Sequence, residues 1–73
     1  MEFKANNYKP NDILKFIRQS TGKTQKEFAQ TINKSENWQF CNEKGISNYY
    51  FKDLLDLANY YNIEIIIKEK NTN

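Results

Sequence analysis

The residue types that most enzymes use for catalysis are scarce in this sequence of 73 residues. It contains no histidine, and Cys41 is its one cysteine, so imidazole-based triads and thiolate or imidazole metal sites are excluded. Gly22 and Gly45 are its two glycines, too few for a phosphate-binding glycine loop. Asp53 and Asp56 are the closest carboxylates expected to share a helix face, and we interpret them as solvated surface groups. These features predict a binding protein with no cofactor or metal, not an enzyme.

Basic side chains and amides remain, and both suit a nucleic-acid partner. Formal net charge is +2, with eleven Lys and Arg against nine Asp and Glu. Residues 1–45 contain eight of the basic and five of the acidic residues, whereas residues 46–73 contain three and four. Positive charge is therefore in excess over the first two-thirds, as a phosphate-facing surface requires. A lysine-rich surface that only keeps the protein soluble is the alternative, and charge alone does not separate the two.

Composition also sets expectations for size and compartment. A chain this short is expected to form one domain, and its small core would benefit from a second copy. A single cysteine cannot form an internal disulfide, which favours a reducing, cytoplasmic location. The longest aliphatic run, residues 65–67, is far shorter than the ~20 residues of a membrane span. The first four residues lack the basic-then-apolar order of a secretory signal.

Two helices are predicted in the first half of the chain. Pro10 suits a first helical turn, and the apolar spacing that follows predicts an amphipathic helix over residues 11–20 that stops at Gly22. Thr24 and Glu27 have the spacing of a capping box, in which each side chain bonds the other's backbone amide. The second helix is therefore expected over residues 24–33.

Two further helices and a strand are predicted in the second half. Ser35 can cap a third helix over about residues 35–43, in which hydrophobicity favours burial of Trp38 and Cys41. Asn48 can cap a fourth helix whose apolar stripe begins with an inward-facing Phe51. Residues 63–68 are β-branched and largely alternating, which predicts a β-strand.

Two short helices joined by a tight turn describe a helix-turn-helix, and here the sequence resembles the lambda-repressor-like, Xre-type family of bacterial and phage DNA-binding domains. The resemblance covers roughly residues 13–63. The matching elements are Arg18, Thr24-Gln25-Lys26-Glu27-Phe28-Ala29, Lys34-Ser35, Glu43-Lys44-Gly45, Asn48, Leu54-Leu55-Asp56-Leu57-Ala58 and Asn62-Ile63. It implies a mainly α, four- to five-helix domain spanning residues 1–73, with a core at about 11–62. The predicted C-terminal β-strand, at about 63–69, is added to that fold.

The resemblance also implies sequence-specific duplex DNA binding by a transcriptional regulator of bacterial, phage or mobile-element origin, acting as a repressor. In that family the start of the second helix lies beside the DNA backbone, and the start of the third reaches base edges. The residues implied for DNA contact are Gln25, Lys26, Lys34, Ser35, Glu36, Asn37, Lys44 and Asn48. Helix capping and solvation are the alternative roles of these residues. The resemblance further implies a structural ion pair between Arg18 and Glu43.

The inward face of the third helix is left open by the sequence. The family pattern usually has apolar residues at the positions of Lys34, Gln39 and Asn42, whereas the bulky residues here are Trp38, Phe40 and Cys41. Polar inner positions and modest charge also favour a second class of function. In that class the same scaffold binds a protein, as an antitoxin or a phage-encoded inhibitor.

The predicted strand suggests how two copies would associate. Alternation places Ile63, Ile65 and Ile67 on one face and Ile66 on the other. A lone strand needs a partner, which could be the N-terminal arm around Phe3 or the same strand of a second copy running antiparallel. We expect a homodimer on Ile63, Ile65, Ile66 and Ile67, holding two recognition helices ~34 Å apart on a palindromic operator.

Overall fold

The computed structural model describes residues 1–71 and is mainly helical, as predicted. Its elements are a 3₁₀ helix at Ala5–Asn7 and four α-helices: α1 at Pro10–Thr21, α2 at Gln25–Gln30, α3 at Glu36–Lys44 and α4 at Phe51–Tyr60. No β-strand occurs within residues 1–71. None of the helices in this described part is long and apolar enough to cross a membrane.

The signals that start and stop α1 and α2 act as predicted. Pro10 occupies the first turn of α1, and Gly22 ends it with φ of +73°. The capping box of α2 is complete: Glu27 N donates to Thr24 Oγ1 at 3.1 Å and Thr24 N donates to Glu27 Oε1 at 3.0 Å. Its α-helical part ends at Gln30, three residues before the predicted end.

A Schellman motif explains the early end of α2. Asn33 adopts φ of +59°, a left-handed conformation that asparagine tolerates. This turn brings the Lys34 amide back to the Ala29 carbonyl at 3.0 Å and the Asn33 amide to the Gln30 carbonyl at 3.1 Å. The chain therefore leaves α2 with its last carbonyls satisfied and reaches α3 after the turn at residues 31–35.

The inward face of α3 is polar. Ser35 caps the helix by accepting from the Trp38 amide at 3.0 Å. The buried residues of α3 are Gln39, Asn42 and Glu43. Trp38 and Cys41 are half-buried and lie outside the core, so the prediction of their burial is wrong. The rotation of α3 is fixed by Glu43, whose buried carboxylate is paired with Arg18.

The start of α4 also differs from prediction. The helix begins at Phe51, and Asn48 is exposed and does not cap it. Asp53 takes that role, accepting from the Tyr50 amide at 3.2 Å. Phe51 is 53% exposed and not inward, because it is the first helical residue and lies where the core ends. The inward stripe begins one turn later, at Leu54.

The core draws one or two residues from each of three helices. Its buried cluster consists of Leu14, Ile17, Phe28, Leu54 and Leu57. Tyr61 covers it, with its ring stacked on Phe28 at a centroid distance of 5.3 Å. The Tyr61 hydroxyl shares a 2.8 Å hydrogen bond with Thr31, which ties the end of α4 to the end of α2.

Residues 1–9 and 63–71 form no sheet with each other. Phe3 packs edge-to-face against Tyr8 and Phe16, at centroid distances of 5.5 and 5.7 Å. Ile63 and Ile65 are half-buried and pack against the core. No backbone hydrogen bond joins the N-terminal arm to residues 63–70, so the arm is not the partner of the predicted strand in this structure.

Candidate nucleic-acid interface

The starts of α2 and α3 meet at a shallow surface depression of about 220 Å³. It is lined by Gln25, Glu36, Asn37 and Phe40. Three of these four were implied for DNA contact by the family resemblance, and the structure brings them together although they lie on two helices. The rim therefore presents a carboxylate, two amides and an aromatic ring, a set that can donate and accept hydrogen bonds and make an apolar contact.

The relative position of these helices depends on a hydrogen-bond network around Glu43. Its Oε1 accepts from Arg18 Nη2 at 3.0 Å and from Gln25 Nε2 at 3.2 Å. Its Oε2 accepts from Arg18 Nε at 2.6 Å and from Gln39 Nε2 at 2.6 Å. One carboxylate thus joins α1, α2 and α3, and the ion pair implied for Arg18 and Glu43 is present.

Burial and hydrogen bonding have opposite effects on the pKa of the Glu43 carboxylate. Burial alone would raise the pKa of Glu43, but hydrogen bonds from Arg18, Gln39 and Gln25 outweigh it, so the pKa lies below its ordinary value. The same hydrogen bonding raises the pKa of Arg18. Arg18 also donates from Nη1 to the Lys23 carbonyl at 3.0 Å, which fixes the turn before α2. The network stays charged at neutral pH and holds the depression in shape.

Gln25 has a structural role in addition to the DNA contact implied for it. It does begin α2, but its amide nitrogen is bonded to Glu43 and its side chain is half-buried. Its Oε1 is the group that can accept a further hydrogen bond. Lys26, the next residue, is exposed.

The two side chains at the start of α3 are exposed. Asn37 Oδ1 accepts from Cys41 Sγ at 3.8 Å, a weak bond within the helix that leaves the amide nitrogen as a donor. Glu36 is an acceptor beside it, and Ser35 is occupied as the helix cap. The sequence therefore placed this turn of α3 correctly at the surface, although Ser35 acts structurally.

The lysines that flank α3 contact aromatic rings. Lys34 Nζ lies 5.8 Å from the centre of the Trp38 ring, and Lys44 Nζ lies 5.7 Å from that of Phe40. Lys34 is half-buried and Lys44 exposed, at opposite ends of the helix. Asn48 is exposed in the loop after α3 and does not line the depression.

Two residues of the site were missed by the sequence reasoning. Phe40 lines the depression and is 42% exposed. Gln39 is buried and donates to Glu43. The signal was available in the family pattern, since a helix with Gln39 and Asn42 inward must turn Phe40 outward.

Comparisons with known proteins supply no relative from which a function can be transferred. No family model matches this chain, and searches of the curated proteins and of the solved structures found no match. Within residues 1–71 no group of three or more His, Cys, Asp or Glu side chains could hold a metal ion. The function is therefore proposed from the geometry of the chain itself.

Proposed function

We propose that this protein binds duplex DNA in a sequence-specific manner through α2, the turn at residues 31–35 and α3, as a lambda-repressor-like helix-turn-helix regulator that represses transcription. The observation that supports this most is the depression between the starts of α2 and α3. There Glu36 and Asn37 are exposed beside Gln25, on helices held in fixed orientation by Glu43. A rigid helix end with free polar side chains suits insertion into a major groove.

Each exposed group has a suitable partner on DNA. The Asn37 amide can bond adenine, and the Glu36 carboxylate can accept from the amino group of cytosine. Lys26, Lys34 and Lys44 supply positive charge for phosphates on either side of the groove. The negative charge of Glu36 is repelled by phosphates, so this side chain is expected to lie over the bases and not beside the DNA backbone.

The proposal includes two-fold symmetry. A homodimer formed through residues 63–68 would present two α3 helices to a palindromic operator, and the predicted strand would form when the two copies pair. The compartment proposed is the cytoplasm, where such DNA lies.

Titration with DNA tests the proposal. A labelled duplex from the region upstream of the gene is titrated by fluorescence anisotropy between 50 and 200 mM salt, beside a duplex of shuffled sequence. We expect tighter binding of the upstream duplex and a fall in affinity as salt rises, because lysine–phosphate contacts release counterions. Equal, weak binding of both duplexes at low salt would refute sequence-specific DNA binding.

A protein-binding regulator is the second candidate, favoured by the exposed apolar residues on and after α3. Phe40 and Ile46 are both exposed, and Trp38, also on α3, is half-buried. Exposed aromatics are typical anchors of protein interfaces. If Phe40→Ala and Ile46→Ser abolish binding to a protein encoded by a neighbouring gene, while wild-type protein binds no DNA, this candidate replaces the first.

A further inference from the structure

The segment at residues 63–71, here called the tail, has an apolar face that its own chain covers only in part. Ile63 and Ile65 pack against the core. In an extended chain Ile67 points to the same side, yet it is 86% exposed. Ile66, on the opposite side, is 71% exposed. Two neighbouring isoleucines therefore remain in water at the point where the tail leaves the core.

The middle of the tail also lacks backbone partners. Between Glu64 and Lys70 no backbone group forms a backbone hydrogen bond in the described structure. Beside it runs an open groove whose walls are the tail and the N-terminal arm and whose floor includes Ile13, Ile17 and Leu54. The arm is already packed through Phe3 against Tyr8 and Phe16, so it does not close this groove.

The sequence of the tail is complementary to a second copy of itself that runs antiparallel. If two copies run antiparallel about an axis through Ile66, Glu64 of each copy lies opposite Lys68 of the other, and Ile65 lies opposite Ile67. Oppositely charged residues directly across an antiparallel pair stabilise it, and so do paired β-branched residues. A shift of the register by two residues in one direction would bring Glu64 opposite Ile66 and lose both Glu–Lys pairs. A shift in the other direction would bring Glu64 opposite Lys70 but would place Ile65 opposite Glu69 and Ile66 opposite Lys68.

We propose that the occupant of this surface is the tail of a second copy, paired antiparallel over Glu64 to Lys68 with Ile66 at the two-fold axis. This deepens the dimer of the proposed function by fixing its register. Residues opposite each other share a face of the ribbon, so Ile67 of one copy lies beside Ile65 of the other, on the side of the core. Each copy thereby covers the apolar surface that the other leaves open.

Cysteine cross-linking of the full chain tests the register. In a Cys41→Ala background, Ile66→Cys is expected to form a disulfide-linked dimer under mild oxidation, because paired Cα atoms lie about 4.5–5.5 Å apart. Glu64→Cys alone and Lys68→Cys alone are the matched controls. Each is ~13 Å from its own mate, beyond disulfide reach, so neither should cross-link by itself, whereas a mixture of the two should. Failure of Ile66→Cys to cross-link, or equal self-linking of Glu64→Cys, would overturn the register.

Charge reversal gives an independent readout by sedimentation equilibrium without DNA. Glu64→Lys and Lys68→Glu should each weaken dimerisation about tenfold, and the double variant should recover it. Lys70→Glu changes net charge equally but lies outside the paired segment, so it should leave dimerisation within about twofold. A double variant no tighter than the single ones would refute the pairing. Because DNA is absent, these results do not depend on whether the protein binds DNA.

Discussion

Arg18 and Glu43 join α1 to the end of α3 through two hydrogen bonds, Nε to Oε2 at 2.6 Å and Nη2 to Oε1 at 3.0 Å. The Glu43 side chain is almost fully buried and the Arg18 side chain largely so. Gln25 and Gln39 occupy the remaining acceptor positions of the carboxylate. This pair therefore determines which face of α3 is turned inward and which residues remain for a partner.

Removal of the Arg18 side chain is expected to destabilise the fold. Arg18→Ala should lower the free energy of unfolding by roughly 1–3 kcal/mol, because it leaves the buried Glu43 carboxylate without its charged partner. Urea denaturation at pH 7 measures this. Lys52→Ala is the matched control, since the Lys52–Asp56 pair is also 2.6 Å long but exposed to solvent, and its loss should leave the free energy of unfolding nearly unchanged. Equal losses for the two variants would contradict the role of Arg18.

The free energy of unfolding is expected to depend on pH through the ionisation of Glu43. Its folded-state pKa lies below the ordinary value of 4.5, so its contribution is complete above pH 4.5 and is lost as pH falls through the folded pKa. Glu43→Gln should therefore be less stable than wild type at pH 7 but should lose less stability between pH 5 and 3. Urea midpoints across that range measure the difference. Glu27, whose pKa is lowered by hydrogen bonds from Thr24, should keep some pH dependence in the variant.

The buried polar face of α3 offers a stabilising substitution. Asn42 Oδ1 is buried without a hydrogen-bond partner, and its Nδ2 bonds only the Trp38 carbonyl of its own helix. Asn42→Leu, which keeps the branched shape of the side chain, should raise the free energy of unfolding by about 1 kcal/mol because the unpaired oxygen is removed. Gln39→Leu is the comparison. Gln39 Oε1 is also unpaired, but its Nε2 donates to Glu43, so that variant should gain less or lose stability.

Two substitutions on the candidate interface should affect DNA binding differently. Lys34→Ala should weaken all duplexes alike and reduce the salt slope by about 0.9 for each bound subunit, because each subunit loses one phosphate contact. Asn37→Ala should instead reduce discrimination at one base pair by about 1–3 kcal/mol. Lys15→Ala, an exposed lysine on α1, serves as the control and should change neither. Anisotropy with a set of single-base operator variants distinguishes these outcomes, and equal effects of Lys15→Ala and Lys34→Ala would contradict a phosphate contact at the turn before α3.

The sequence located the helices well where their ends have local signals. Pro10, Gly22 and the Thr24–Glu27 capping box act in the structure as the spacing predicted. These signals are reliable because each involves residues within one helical turn. Asn48 was misjudged because Asp53, three residues after the N-cap of α4, competes for the same capping role from inside the helix.

Predictions based on hydrophobicity alone failed on α3. Trp38 and Cys41 were expected inside, yet Gln39 and Asn42 are the buried residues. Hydrophobicity predicts an inward face only when no stronger interaction fixes the rotation of the helix. Here the Arg18–Glu43 pair, between residues 25 positions apart in sequence, fixes it.

Periodicity, caps and charge order predicted four helices, their main stop signals and a self-complementary tail, because these patterns are properties of neighbouring residues. The folded arrangement was needed to establish which face of α3 is exposed, that Phe40 joins Gln25 and Asn37 at one depression, and that the N-terminal arm does not pair with the tail. These features depend on contacts between distant segments, whose geometry is set by how the whole core packs and by where a buried charge finds its partner.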